Sequence, residues 1–174
     1  EGGAFHGAIL DRQAAFIADV VQFLESACDL HSISVVAHSI GGLSTLLSLQ
    51  SYPKRMGAVR NVITLGTPHL EPVWTWEPGM LNIYQKLLRQ QLDDVVLLSI
   101  SGGLRDEMVP PALGYINKHS AISVLATDIF ASQTSHALGM DHRAIVWCHN
   151  LLSEVRTVLY TLVQGDSATR SLEL

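Results

Sequence analysis

The stretch Val35-Val36-Ala37-His38-Ser39-Ile40-Gly41-Gly42 decides how the rest of this 174-residue chain is read. Ile33 to Ala37 is a short apolar, β-branched run, the signature of a buried strand. A serine in a tight turn follows at once. A helix of small and apolar residues then runs from Gly41 to Leu49 and ends before Pro53. Strand, serine and glycine-opened helix together match the nucleophile elbow G-x-S-x-G, with Ala37 at the first glycine position. The turn lifts the Ser39 hydroxyl above the sheet edge, and small neighbours avoid collision with its strained backbone. The helix start adds a positive dipole, so the backbone N–H of Ile40 is the expected oxyanion donor. A serine that merely caps an ordinary βα turn would fit the five residues. The strand before it and the two glycines after it favour the elbow. His38 points away from its neighbour's hydroxyl in such a turn, so packing is expected of it rather than base catalysis.

Working outward, helices and strands alternate. Leu10 to Leu30 has apolar residues at spacings of three and four (Ala14, Ile17, Val21, Leu24, Ala27) and reads as an amphipathic helix. Asn61 to Leu65 is a second strand closed by Gly66, and a loop rich in Pro and Trp follows. Leu81 to Leu92 is a helix. Asp94 to Ile100 is a third strand before Gly102-Gly103, and Ala121 to Ala126 is a fourth. Asp141 to Val163 is a last long helix with Ile145, Trp147, Leu151, Val155 and Val158 on or near one face. Continuous apolar strands imply a sheet covered on both faces, and intervening helices imply parallel crossovers. The expected fold is therefore α/β, with a mostly parallel sheet of at least four strands flanked by helices. Residues 1–163 form its core, and residues 164–174, with little to bury, are expected to be a disordered tail.

An elbow of this kind requires an acid and then a histidine later in the chain. Asp106 and Glu107 lie just after the third strand, in a loop shaped by Gly102-Gly103 and Pro110. The shorter Asp106 is favoured, with Asp128, after the fourth strand, as runner-up. His136, His142 and His149 are the candidate bases. His142 is favoured because it opens the last helix, from which its ring can reach back over the sheet; Asp141 beside it is expected to cap that helix. The loop Leu65-Gly66-Thr67-Pro68-His69 starts at the carboxyl end of a strand, where open α/β sheets bind ligands. Its Thr67 and His69, with His38 and Trp74, are the candidate substrate-lining residues.

Composition removes other classes. With 48% apolar and 16% charged residues the chain is not disordered. Mean hydropathy is +0.26, yet no apolar run approaches the roughly 18 residues of a membrane span. Eleven Lys and Arg against sixteen Asp and Glu give a net charge of −5, the wrong sign for a nucleic-acid partner. Cys28 and Cys148 are too few for a disulfide scaffold and are expected to be buried thiols. The histidines lack H-E-x-x-H or paired-Cys spacing, so no metal is expected. Gly102-Gly103 is too short for a phosphate-binding loop, and no cofactor is implied.

Four pieces occur in order: His38-Ser39-Ile40-Gly41-Gly42; Leu65-Gly66-Thr67-Pro68-His69; Ser99-Ile100-Ser101-Gly102-Gly103 with Arg105-Asp106; and Asp141-His142 with Ile145-Val146-Trp147-Cys148. Together they resemble the GPI inositol-deacylase family of lipase-like α/β-hydrolases, up to about Leu152. The first two pieces are shared with many lipases; the last two are more particular. The resemblance implies an integral endoplasmic-reticulum membrane enzyme that hydrolyses the acyl ester on the inositol of GPI anchors. It implies Ser39 as nucleophile, Asp106 as triad acid and His142 as base, without metal or cofactor. Ala37 departs mildly from the family's glycine. The family's upstream strands, oxyanion loop and membrane spans have no counterpart here, so the chain is expected to be part of a longer protein. Membrane contact is then expected through segments outside it, and Ile33 to Ala37 at an open, aggregation-prone sheet edge. A general lipase or esterase, and a hydrolase-like module that binds lipid or a partner without turnover, are the alternatives.

Overall fold

The computed structural model describes residues 6–73, 77–89, 92, 94–116, 121–125 and 139–170. Helix α1 spans Gly7–Cys28, strand β1 Ile33–His38, α2 Ile40–Ser51, β2 Val59–Leu65, α3 Pro78–Leu88, β3 Val96–Ser101 and β4 Ala121–Leu125. A single 3₁₀ turn, Ala144–Val146, precedes the last helix, α4, His149–Arg170. The four strands form one parallel sheet in the order β1-β2-β3-β4, and the expected alternation of helices and strands is the observed one.

The sheet is covered on both faces because alternate strand residues point to opposite sides. Val62 and Leu97 face a core shared with Leu10, Ala14 and Val21 of α1, Leu43 and Leu47 of α2, and Ile83 and Tyr84 of α3. Ile63, Leu65 and Ile100 face the other way, onto Ile145, Leu151 and Val155. Among the described residues β1 pairs with β2 alone and lies at the sheet edge, as expected. Val36 on it is 44% exposed.

Three expectations are corrected. The last helix does not begin at Asp141. Asp141 Oδ1 does accept from the Arg143 and Ala144 amides, but these close only the 3₁₀ turn, and the α-helix starts afresh at His149. That break turns Trp147 outward, 69% exposed, while Ile145 stays fully buried. At its other end α4 continues past Val163 to Arg170, where a disordered tail was expected. Its polar surface is bridged within the helix, with the Thr157 and Thr161 hydroxyls donating to carbonyls one turn back. Finally, Cys28 is exposed and Cys148 half-buried. Cys28 is the last residue of α1, and Asp29 after it takes a left-handed conformation that leads the chain off the core.

Candidate active site

The site is built on the carboxyl ends of three adjacent strands. Ser39 follows β1 and sits at φ 54°, ψ −130°, a backbone strain of the kind that collects at functional sites. Its surroundings hold it there. The Ser39 N–H donates to the Leu65 carbonyl at 2.9 Å, and the Ser39 carbonyl accepts from the Gly42 N–H at 3.0 Å. The same carbonyl accepts from Thr67 Oγ1 at 2.8 Å. Gly42 is required by that contact: a Cβ there would collide with the Thr67 side chain.

Asp106 hangs from the loop after β3, which Gly103 turns with φ 82°. Its carboxylate is buried, and Oδ1 accepts from the amides of Met108 (3.1 Å) and Val109 (2.7 Å). Oδ2 is left for His142. The His142 Nδ1–H donates to it at 2.9 Å, and His142 Nε2 accepts from the Ser39 hydroxyl at 2.7 Å. A carboxylate only accepts, so the proton of the neutral ring lies on Nδ1 and Nε2 is free to receive another. Gly66, the first residue past β2, lies beneath this pair at φ 58°. A Cβ there would stand 3.2 Å from both Asp106 Oδ2 and His142 Nδ1. Ser39, Asp106 and His142 thus lie in one continuous hydrogen-bonded chain. Glu107 is exposed, and His149 is exposed on α4. Asp128, His136 and Trp74 lie outside the described residues.

A cavity of about 610 Å³ opens beside Ser39 and His142. Its wall is apolar, formed by Ile40, Pro68, Val73, Met80, Met108 and Val109, with Tyr84 anchored by donating to the Pro68 carbonyl at 2.6 Å. Burial pushes the Tyr84 phenol well above its usual range, so it is a neutral donor here. Glu107 is the charged residue at this wall. Ile40 begins α2 directly after the serine, so its N–H belongs to the helix end that faces the site.

Three of the candidate lining residues do other work. Thr67 is fully buried and braces the elbow as described. His69 is buried against Thr64, its Nε2 2.7 Å from the hydroxyl. His38 stands behind His142: its Nε2–H donates to the His142 carbonyl at 2.9 Å, and the two rings lie 4.7 Å apart. Burial pulls the His38 imidazole below the ordinary histidine range. None of the three touches the cavity, because each side chain is turned into the packing under the loops. Among the described residues no group of three His, Cys, Asp or Glu is placed to hold a metal, and no helix is long and apolar enough to cross a membrane.

A parallel sheet with a strained serine between strand and helix, met by a histidine and an acid from later strand ends, defines an α/β-hydrolase fold. The chain resembles the crystal structure of Aspergillus fumigatus lipase B, with a TM-score of 0.54 at 15% identity over 67% of this chain and 34% of that one. It also resembles mouse alpha/beta hydrolase domain-containing protein 10, with a TM-score of 0.51 at 16% identity over 86% and 70%. The chain belongs to the PGAP1-like alpha/beta domain family, whose model matches residues 1–162. Relatives include putative GPI inositol-deacylase C of Yarrowia lipolytica, 28% identical over 94% of this chain and 22% of its own length. GPI inositol-deacylase of Debaryomyces hansenii is 28% identical over 98% of this chain and 19% of its own length. The chain therefore spans about a fifth of the curated relatives it matches.

Proposed function

We propose that this chain carries the catalytic core of a serine ester hydrolase that removes the acyl chain from the inositol of GPI anchors. The observation behind this reading is the continuous Ser39–His142–Asp106 hydrogen-bond chain beside an apolar cavity. In the reaction, His142 Nε2 takes the Ser39 proton as Oγ attacks the ester carbonyl carbon. Asp106 keeps the ring in the correct tautomer and stabilises the imidazolium. The Ile40 N–H donates to the oxyanion. The tetrahedral intermediate collapses as His142 returns the proton to the inositol oxygen, leaving acyl-Ser39. Water, activated by the same imidazole, then releases the fatty acid. No metal or cofactor enters. The acyl chain lies along Pro68, Val73, Met80 and Met108, where its methylenes leave water at about 0.8 kcal/mol each.

Endoplasmic-reticulum residence, and membrane contact through segments of a longer polypeptide, belong to the same reading. The names of the relatives support the substrate; the fold neighbours support only the architecture. The test uses the full-length protein. A fluorophosphonate probe should label the wild type and leave Ser39→Ala unlabelled; equal labelling removes the nucleophile. Fatty-acid release from inositol-acylated GPI should exceed release from simple glycerides, and the reverse order would make the enzyme a general lipase.

A further inference from the structure

His142 sits on neither a strand nor a helix, so its ring is placed by the Asp106 carboxylate on Nδ1 and by the bonds that hold its main chain. Met140 N–H donates to the Gly102 carbonyl at 2.6 Å, which secures the chain two residues earlier. The bond that reaches the main chain of His142 itself comes from His38, 104 residues away, at 2.9 Å. A carbonyl can only accept, so His38 Nε2 must carry a proton. We propose that His38 is a positioning residue for the base, and that its Nε2–H, donated to the His142 carbonyl, fixes the imidazole over Ser39. The inference rests on the catalytic reading above.

His38 immediately precedes Ser39 and is the last residue of β1. One rigid strand end therefore carries the nucleophile and, through the adjacent residue, the anchor of its base. The distance between Ser39 Oγ and His142 Nε2 is then set in part by a few atoms of β1. The two imidazoles also lie against each other, their planes tilted by 41°. His142 becomes a cation during the reaction, and a second cation at 4.7 Å would oppose it. A neutral His38 donor avoids this, and its burial favours the neutral form. His38 does not line the cavity, so its loss should act on turnover rather than on acyl binding.

Two substitutions in the full-length protein separate the donor from the ring. His38→Phe keeps a flat ring against His142 and has no donor. His38→Gln keeps an amide donor at similar reach and has no ring. Turnover is measured per active site, titrated to completion with fluorophosphonate, so that misfolded molecules are not counted. His38→Phe should lower kcat about 10²-fold, the cost of a misplacement of about 1 Å, with KM changed less than about twofold. His38→Gln should come within about tenfold of wild type. Wild-type kcat in His38→Phe, or His38→Gln as slow as His38→Phe, overturns the proposal. If His38→Phe does not fold, His38→Gln decides alone, since a loss of 10² or more there excludes the donor role. Ser39→Ala is assayed in parallel. If it hydrolyses like wild type, the catalytic reading falls first; if it is inactive while His38→Phe is normal, only the role of His38 falls.

Discussion

The segment Ile33–Gly42 and the segment Met140–Cys148 deliver the two halves of the same site by different means. In the first, position comes from the backbone: six strand residues paired with β2, one strained turn, and a helix that starts on the next residue. In the second, regular structure contributes one 3₁₀ turn. The placement of His142 comes instead from side-chain bonds to Asp106, 36 residues back, and to His38, 104 residues back. Ser39, the proposed nucleophile, is thus placed by local structure, while His142, the proposed base, is placed by tertiary contacts. Substitutions should follow the division: changes around the base act through geometry at a distance, and should cost activity before they cost fold.

The largest effect short of removing the nucleophile is expected from Asp106→Asn. The Asn carbonyl can still accept from the Met108 and Val109 amides, so the loop should keep its shape. Its amide nitrogen then faces His142 Nδ1, which must become an acceptor. The ring proton moves to Nε2, where it blocks transfer from Ser39. A fall of about 10⁴ in kcat is expected with the fold retained. Near-normal turnover in a folded Asp106→Asn protein would mean that the carboxylate serves only its loop, and the tertiary half of the comparison would lose its main support.

The same division explains what could be read from the sequence. The elbow was legible because all of its determinants are neighbours: an apolar strand, a serine and two glycines within ten residues. Asp106 and His142 stand out among several candidates only by loop position and by resemblance, since no local pattern distinguishes a histidine that meets Ser39 from one that does not. Thr67, Gly66 and His38 were misread or passed over for the same reason. Thr67 looked like a cavity-lining residue, but its hydroxyl is spent on the Ser39 carbonyl. His38 looked like packing, and its bond to the His142 carbonyl depends on where a segment a hundred residues later comes to rest. The helix boundary expected at Asp141 differs from the observed start at His149 because capping signals identify the start of a turn, not how far the helix runs. A Thr-Pro pair after a strand's closing glycine, together with a glycine in the first turn of the helix before that strand, is the kind of signal that points to the Thr67–Gly42 contact.

Gly66→Ala sharpens the comparison at a point where the two regions touch. An alanine at φ 58° costs about 1–2 kcal/mol, and its Cβ would press on Asp106 Oδ2 and His142 Nδ1 together. The stability loss should be modest. The loss of kcat should be about 10²-fold, because the new methyl group separates the acid from the base. Thermal unfolding and steady-state kinetics on one preparation check both. If stability falls by the expected amount and kcat does not change, the pair is not under geometric control from β2, and the tertiary half of the site is more tolerant than its close contacts imply.

The smallest effect lies away from the site, where another long-range side-chain bond joins two elements. The first turn of α1 contains no acidic residue, and its N-cap, His6, makes no side-chain bond to it. Glu77 supplies the missing acceptor from 70 residues away, taking the Gly7 N–H at 3.1 Å. The same carboxylate oxygen takes the Met80 N–H of α3 at 2.6 Å. The two helix starts are in backbone contact, since a Cβ on Gly7 would stand 2.7 Å from the Gly79 carbonyl carbon. These amides, that of Gly7 first, hold the Glu77 carboxyl below the ordinary glutamate range, with a last, minor contribution from His6. A carboxyl depressed in the folded state stabilises it above the unfolded-state pKa, and the contribution is lost as the pH falls through the folded value. Glu77→Gln should therefore be less stable than wild type at neutral pH, and the two proteins should converge as the pH falls below the usual glutamate range. Urea midpoints measured across that range test this. A constant offset at every pH would mean that Glu77 acts by packing or by neutral hydrogen bonding alone, and that charge at the paired helix starts contributes nothing to their union.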